Sequence, residues 1–241
     1  MEWTEEATTA LLTGCRELGM DLSSDSIRRL ILYGERIIQA NAEFNLTSIV
    51  DPVDIALKHF VDSLCLVRAV SLMSAVLIVD LGCGAGLPGI PLAIAFPQLH
   101  VKLIDSTLKK VRFVERVCEE LQLTNTTCIW GRCDGKSVAG LAGDIVIARA
   151  LGHLSMVLEL GLPLTRIGGK VVAYKGKEDP VEIASAREAC RLLGGVLLAV
   201  EKYKVPVIGD RRTLVIFGKV SQTPSGFPRS GNLPKLHPLG S

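Results

Sequence analysis

Two carboxylates and three glycines are the residues of this chain best placed to do chemistry. Gly82, Gly84 and Gly86 alternate behind Asp80, and Asp105 follows at the distance of the next strand. Ahead of them, residues 76–79 (Val-Leu-Ile-Val) are too short an apolar run for a helix and read as a strand buried on both faces. Behind them, residues 92–95 resume helical character. Strand, glycine turn and helix bring bare backbone against a ligand, with the free N–H groups of the helix start facing it. Residues 101–105 (Val-Lys-Leu-Ile-Asp) read as the neighbouring parallel strand, whose terminal acid stands where ribose hydroxyls are accepted. Ser106 and Thr107 either extend that edge or cap a helix beginning near residue 108, and Asp105 carries the same two readings.

Two cofactors suit such a turn. Gly84-Ala85-Gly86-Leu87-Pro88-Gly89 spells the G-x-G-x-x-G of a dinucleotide site. Asp80-x-Gly82-x-Gly84-x-Gly86 resembles the glycine motif of S-adenosylmethionine-dependent methyltransferases. Charge separates them. A pyrophosphate over the turn meets repulsion from Asp80, whereas a sulfonium and an ammonium are favoured by it. S-adenosylmethionine is therefore the expected cofactor, held by Asp80, Gly82, Gly84, Gly86, Leu87 and Asp105. A nicotinamide oxidoreductase stays as an alternative.

The elements that must position these residues follow from the remaining pattern. The 241 residues, 48% hydrophobic with mean hydropathy +0.36, suffice for one sizeable core plus an appendage. Between Arg68 and His100 only Asp80 is charged, but the glycines, prolines and that acid argue against a membrane span. With no secretory leader in view, a cytoplasmic protein without a membrane partner is expected. Seven cysteines without a C-x-x-C pair indicate neither a disulfide framework nor a metal site. The net charge of +2 excludes a globally basic nucleic-acid binder but not a local basic face.

Thr4 is placed to cap a first helix, and Ile27, Leu30, Ile31, Gly34, Ile37, Ile38 and Asn41 form the stripe of a second. The two read as a hairpin packed on the main body, an N-terminal extension over residues 1–48. Asp51-Pro52 opens a third helix carrying Lys58, His59 and Asp62. Residues 49–220 then alternate strand and helix, which predicts a mostly parallel, seven-stranded, Rossmann-like α/β sheet. The strand at 127–130 runs into Gly131-Arg132-Cys133-Asp134, where a backbone amide or a carboxylate can meet an adenine edge. The strand at 144–148 ends in Arg149, and the one at 170–174 in Lys175. Strands at 196–204 and 213–217 complete the sheet. Residues 221–241, rich in proline and glycine and free of acids, form a tail expected to be disordered.

Together these residues resemble one family. Asn45-Leu46-Thr47-Ser48, His59-Phe60-Val61-Asp62-Ser63, the glycine motif with its Leu87-Pro88-Gly89-Ile90-Pro91 extension and Leu103-Ile104-Asp105-Ser106 match its pattern. So do Gly131-Arg132, Ala148-Arg149-Ala150, Lys175-Gly176 and Phe227-Pro228-Arg229. The family is that of the glucose-inhibited-division B proteins, or ribosomal small-subunit methyltransferase G. The resemblance spans nearly the whole chain and implies methylation of a guanine N7 in 16S rRNA near the decoding region. Free rRNA, the small subunit or an assembly intermediate is the implied partner, with the enzyme a monomer.

That chemistry suits what the sequence contains. Guanine N7 has an exposed lone pair, so transfer needs orientation more than a general base. Exocyclic amines usually meet an Asn/Asp-Pro-Pro-aromatic turn where this chain has Ala148-Arg149-Ala150-Leu151, and no Pro-Cys nucleophile is present. Arg149 is the candidate catalytic residue, pairing with the cofactor carboxylate or donating to guanine O6. Its bland alternative is an ion pair at a strand end. Cys133 and Asp134 are further cofactor candidates; Asn45, His59, Lys175, Arg211 and Arg212 are substrate candidates, the last three as a phosphate-binding rim. A small-molecule methyltransferase and a non-catalytic S-adenosylmethionine-binding module remain open as alternatives.

Overall fold

The glycine-turn strand forms and takes the centre of the molecule. The computed structural model describes residues 2–73, 75–177 and 179–240. Strands β1 (Leu77–Leu81), β2 (His100–Asp105), β3 (Thr126–Trp130), β4 (Gly143–Arg149) and β5 (Thr165–Lys175) run parallel. β6 (Gly195–Lys204) and β7 (Arg211–Lys219) pair antiparallel, and β7 pairs antiparallel with β5. The resulting seven-stranded order is β3-β2-β1-β4-β5-β7-β6. The order reverses between β1 and β4, and ligands of open parallel sheets bind at the strand ends beside such a switch point.

Alternation along β1 supplies both faces of the core. Ile78 joins one apolar cluster, while Val79 and Leu81 join the other. The first face is covered by α1 (Glu5–Glu17), α2 (Ser24–Glu43) and a continuous helical rod, α3. This rod passes through Pro52–Asp54, a π-helical Ile55–Val61, Asp62–Leu64 and a 3₁₀ turn Cys65–Arg68. α4 (Gly89–Ala95) and α5 (Leu108–Glu120) complete that face. α6 (Leu154–Gly161) and α7 (Pro180–Leu192) cover the other. Among the described residues, no helix is long and apolar enough to cross a membrane.

The first three helix starts follow the expected capping chemistry. Thr4 accepts from the Ala7 N–H, Ser23 from Ser26 and Asp51 from Asp54, with Pro52 in the first helical turn. The expected hairpin takes a different form. α1 finds its main partner in α3, and α2 packs on α3, α4 and α5. Trp3 and Tyr33 both stack on Phe60, with ring centroids 5.9 and 5.1 Å apart, so the extension shares one core with the sheet.

Other sequence expectations are also revised. α6 was not anticipated, because its residues are buried nearly all round and show no polar face. β5 begins at Thr165 rather than near 170: a register shift between Gly143 and Ile145 admits Gly168 and Gly169 into the strand. The tail, expected to be disordered, lies along the domain. Phe227 packs on the second core cluster, and a short helix, α8, forms at Leu233–Leu236. Arg229 grips Glu159 of α6 through Nε and Nη2 at 2.8 and 2.6 Å and also donates its backbone N–H. A tail too polar to fold alone is ordered by long-range ion pairing.

Glu159 is fully buried, so removing its partner leaves an uncompensated charge inside the protein. Arg229→Ala is expected to lower the unfolding free energy in urea by about 3 kcal/mol. A loss below about 1 kcal/mol, the value of an exposed pair, would contradict this docking.

Candidate active site

Asp80 anchors the turn from within β1. Its Oδ2 accepts the Gly89 N–H at 2.8 Å, while its fully buried Oδ1 has no hydrogen-bond partner among the described residues. Burial pushes this carboxyl up to about 7, against the opposing pull of the Gly89 N–H and Arg149. The three glycines are left-handed, with φ of +65°, +59° and +93° at Gly82, Gly84 and Gly86. A Cβ on Gly86 would lie 2.4 Å from Ile90, but one on Gly84 would meet nothing closer than 3.9 Å. Gly84 thus presents its bare backbone to open space.

Asp105 does not cap α5, whose N-cap position is Thr107; it clasps the glycine turn instead. Its Oδ1 accepts from the Thr107 N–H at 2.8 Å and its Oδ2 from the Gly84 N–H at 3.0 Å, clasping the turn to β2. Each oxygen retains a lone pair for a ribose hydroxyl. Ser106 and Thr107 are exposed beside it; the Ser106 carbonyl accepts from the Trp130 indole, and the Thr107 side chain does not cap α5.

In front of the turn lies a cavity of about 450 Å³, walled by Gly82–Ala85, Leu87, residues 46–49, His59, Asp62 and Arg149. Arg149 projects from the end of β4, with Nη1 3.4 Å from both the Lys58 carbonyl and Asp62 Oδ2, and Nη2 3.5 Å from His59 Nδ1. The strand-end ion pair is therefore real, and it sits inside the site. His59 is pushed down to about 3, first by burial and then by Arg149. A guanidinium only donates, so Nδ1 is the acceptor and Nε2–H donates to Thr47 Oγ1 at 3.0 Å.

The other candidates fall in several places. Asn45 is exposed outside the cavity, although its neighbours 46–49 line it. Cys133 is half-buried, with its thiol raised to about 12 by burial. Asp134 accepts from Arg132 and, at 3.0 Å, from the backbone of Gly231 in the tail. Lys175 Nζ bonds Glu182 at 2.8 Å and the Gly152 carbonyl at 3.2 Å. Arg212 pairs with Asp210 at 3.0 Å and reaches the wall of the turn cavity. Arg211 lines a separate cavity of about 600 Å³ with Lys177, Lys202, Lys204 and Arg212.

Sequence reasoning missed three supports. The Tyr33 hydroxyl donates to the Ala85 carbonyl at 2.6 Å, bracing the turn from α2. Asn41 Oδ1 accepts from Leu46 and Thr47, both at 2.9 Å, and fixes the loop over the cavity. Lys110 of α5 also lines that cavity. Tyr33 and Asn41 lie on the apolar stripe of α2, where only a polar atom at a core position hinted at more.

The site suits S-adenosylmethionine. The orphan Asp80 Oδ1 matches its ammonium, the open side of Gly84 admits its backbone-hugging chain, and Asp105 has acceptors left for its ribose. A seven-stranded sheet of this order with that turn defines a class I S-adenosylmethionine-dependent methyltransferase. The fold is shared with solved structures of a methyltransferase from Pyrococcus furiosus and an S-adenosylmethionine-dependent methyltransferase from Aquifex aeolicus. The first has TM-score 0.54 and 20% identity over 80% of this chain and 98% of that one. The second has TM-score 0.51 and 16% identity over 70% and 94%.

Residues 26–214 match the family model of rRNA small subunit methyltransferase G, and the chain belongs to that family. It is 40% identical to the ribosomal RNA small subunit methyltransferase G of Deinococcus deserti, covering 97% of both chains. It is 35% identical to that of Bacillus subtilis, over 94% of this chain and 96% of the other.

Gly84→Val is expected to abolish S-adenosylmethionine binding in calorimetry while costing only about 1–2 kcal/mol of stability, since a Cβ there meets backbone strain but no neighbour closer than 3.9 Å. Unchanged affinity in the variant would remove the turn from the cofactor site.

Proposed function

We propose that this enzyme transfers the methyl group of S-adenosylmethionine to N7 of a guanine in 16S rRNA near the decoding region. It acts in the cytoplasm as a monomer, on free rRNA, the small subunit or an assembly intermediate. Family membership supports the rRNA substrate, and one observation supports N7 as the acceptor. His59, the imidazole in the site wall, is pushed down to about 3 by burial and by Arg149, which makes it a weak base. An acceptor that already carries a free lone pair needs none.

When bound, S-adenosylmethionine supplies an electrophilic methyl on a sulfonium. The residues of this chain bind and orient. Asp80 and Asp105 hold the ammonium and ribose, Gly84 lets the backbone approach, and Cys133 with the Asp134 loop lies along the adenine side. Arg149 donates to guanine O6, which leaves N7 unencumbered and lined up for transfer. His59 fixes the loop at Thr47 and supports the Arg149 guanidinium. Asn45 stands at the rim as a further RNA contact.

The phosphate-binding surface is the basic cavity at the β5–β6–β7 ends, where Lys177, Lys202, Lys204, Arg211 and Arg212 converge beside Lys175. Ribosomal RNA from a strain lacking the gene, mapped by mass spectrometry, should lose one 7-methylguanosine that the purified enzyme restores. Arg212 also borders the cofactor cavity, so Lys204→Glu with Arg211→Glu is the cleaner test of the rim. That pair should impair subunit methylation with S-adenosylmethionine affinity unchanged within about twofold. Its salt slope should be shallower by about one to two counterions. An unaltered rate and slope would move the RNA surface elsewhere.

A further inference from the structure

Beside the turn cavity lies a smaller one of about 210 Å³, and the two share Asp62, Arg149, Ala150 and Arg212. The smaller cavity opens at the ends of β4 and β5, with apolar walls from Ala148, Leu151, Val157 and Ala173. Asp62 is its buried polar group, only 4% exposed. One oxygen, Oδ1, accepts the Tyr203 hydroxyl at 2.8 Å, and the other faces Arg149 at 3.4 Å. Each carboxylate oxygen has two lone pairs, so one on each remains for a ligand. Neither the ion pair nor the tyrosine explains why an acceptor pair should line a cavity sized for one planar base.

We infer that Asp62 reads the Watson–Crick edge of the target guanine, with Arg149 at O6. The inference rests on the guanine-N7 reading and deepens it. Among the four RNA bases, guanine alone offers two adjacent donors, N1–H and the 2-amino group, beside an acceptor. A carboxylate next to a guanidinium is the complement of that edge. Asp62 and Arg149 also line the cavity in front of the glycine turn, so a base held by both lies next to the methyl donor's site.

Asp62 also acts on the reaction. The N7 lone pair forms the new N–CH₃ bond while the S–CH₃ electron pair passes to sulfur, leaving neutral sulfur and a positively charged guanine. No proton moves. The hydrogen bonds from N1–H and the 2-amino group to a carboxylate strengthen as that charge develops, which favours the transition state over the ground state.

The test uses the full-length enzyme and 16S rRNA ligated with guanosine or inosine at the mapped position. Inosine keeps N7, O6 and N1–H and lacks only the 2-amino group. The wild type should prefer guanosine by about tenfold or more in kcat/KM, the value of one hydrogen bond to a charged acceptor. In Asp62→Asn the rate on guanosine should fall and that preference should collapse to within about twofold, both substrates being compared at saturating S-adenosylmethionine because Asp62 also borders the cofactor cavity. If Asp62 only positioned Arg149, both substrates would slow equally and the preference would survive, which overturns the inference. If Asp62→Asn does not fold, the wild-type ratio decides alone: equal use of inosine overturns it. A wild type that methylates neither RNA refutes the rRNA reading itself, a distinguishable outcome.

Discussion

The structure depends on a carboxylate held where water cannot reach it. Asp80 is fully buried in the central strand, with one oxygen hydrogen-bonded to Gly89 and the other unsatisfied. An unsatisfied buried polar atom costs about 1–3 kcal/mol, a large share of a typical domain's stability. It persists because both sides of the sheet are packed around it; in the proposed cofactor complex a cationic group completes it. The same interaction dictates Gly89: a Cβ there would stand 2.8 Å from Asp80 Oδ2 and 2.3 Å from Leu103. The carboxyl is raised to about 7, so the folded state binds its proton more tightly than the unfolded state does. Stability from this group is present at low pH and is lost as pH climbs from about 4 through 7.

Around that anchor, distant parts of the chain brace the loops of the site. Tyr33 holds the turn, Asn41 the loop over the cavity, and Asp62 the guanidinium of Arg149. Gly231 in the tail holds Asp134, while Arg229 fixes the tail to Glu159. The N-terminal helices and the C-terminal segment therefore both brace loops at this end of the sheet. Their shared feature is a polar atom reaching out of an apolar surface to a backbone group or a charge, which orients a loop without filling the cavity.

How much was legible depended on the range of the interaction. The sheet and the glycine turn show in residues 76–89 because apolar runs and alternating glycines act locally. Asp80, Asp105 and Arg149 were legible as strand-end residues, and the structure brings them to one edge of the sheet. The Asp62–Tyr203 bond was not, because its partners come from α3 and β6 and neither carries a local signal. The order in the tail was hidden likewise: its composition says that it cannot fold alone, and only Glu159, inside a helix with no polar stripe, supplies the counter-charge. Asp105 shows the limit of choosing between readings. Cap and ribose acceptor were opposed on paper, yet the carboxylate bonds the Gly84 and Thr107 N–H groups without capping α5 and keeps lone pairs free on both oxygens.

The central claim is that a cationic cofactor completes the buried Asp80 carboxylate, and proton linkage tests it most directly. Burial raises Asp80 to about 7, so its carboxyl is partly protonated near neutral pH, and a bound ammonium favours loss of that proton. Calorimetric titration with S-adenosylmethionine, in buffers of differing ionisation enthalpy, should therefore register net proton release near pH 7. Affinity should weaken toward pH 6, and both effects should vanish in Asp80→Asn. Binding without proton release, with flat affinity between about pH 6 and 8 in the wild type, would contradict the account.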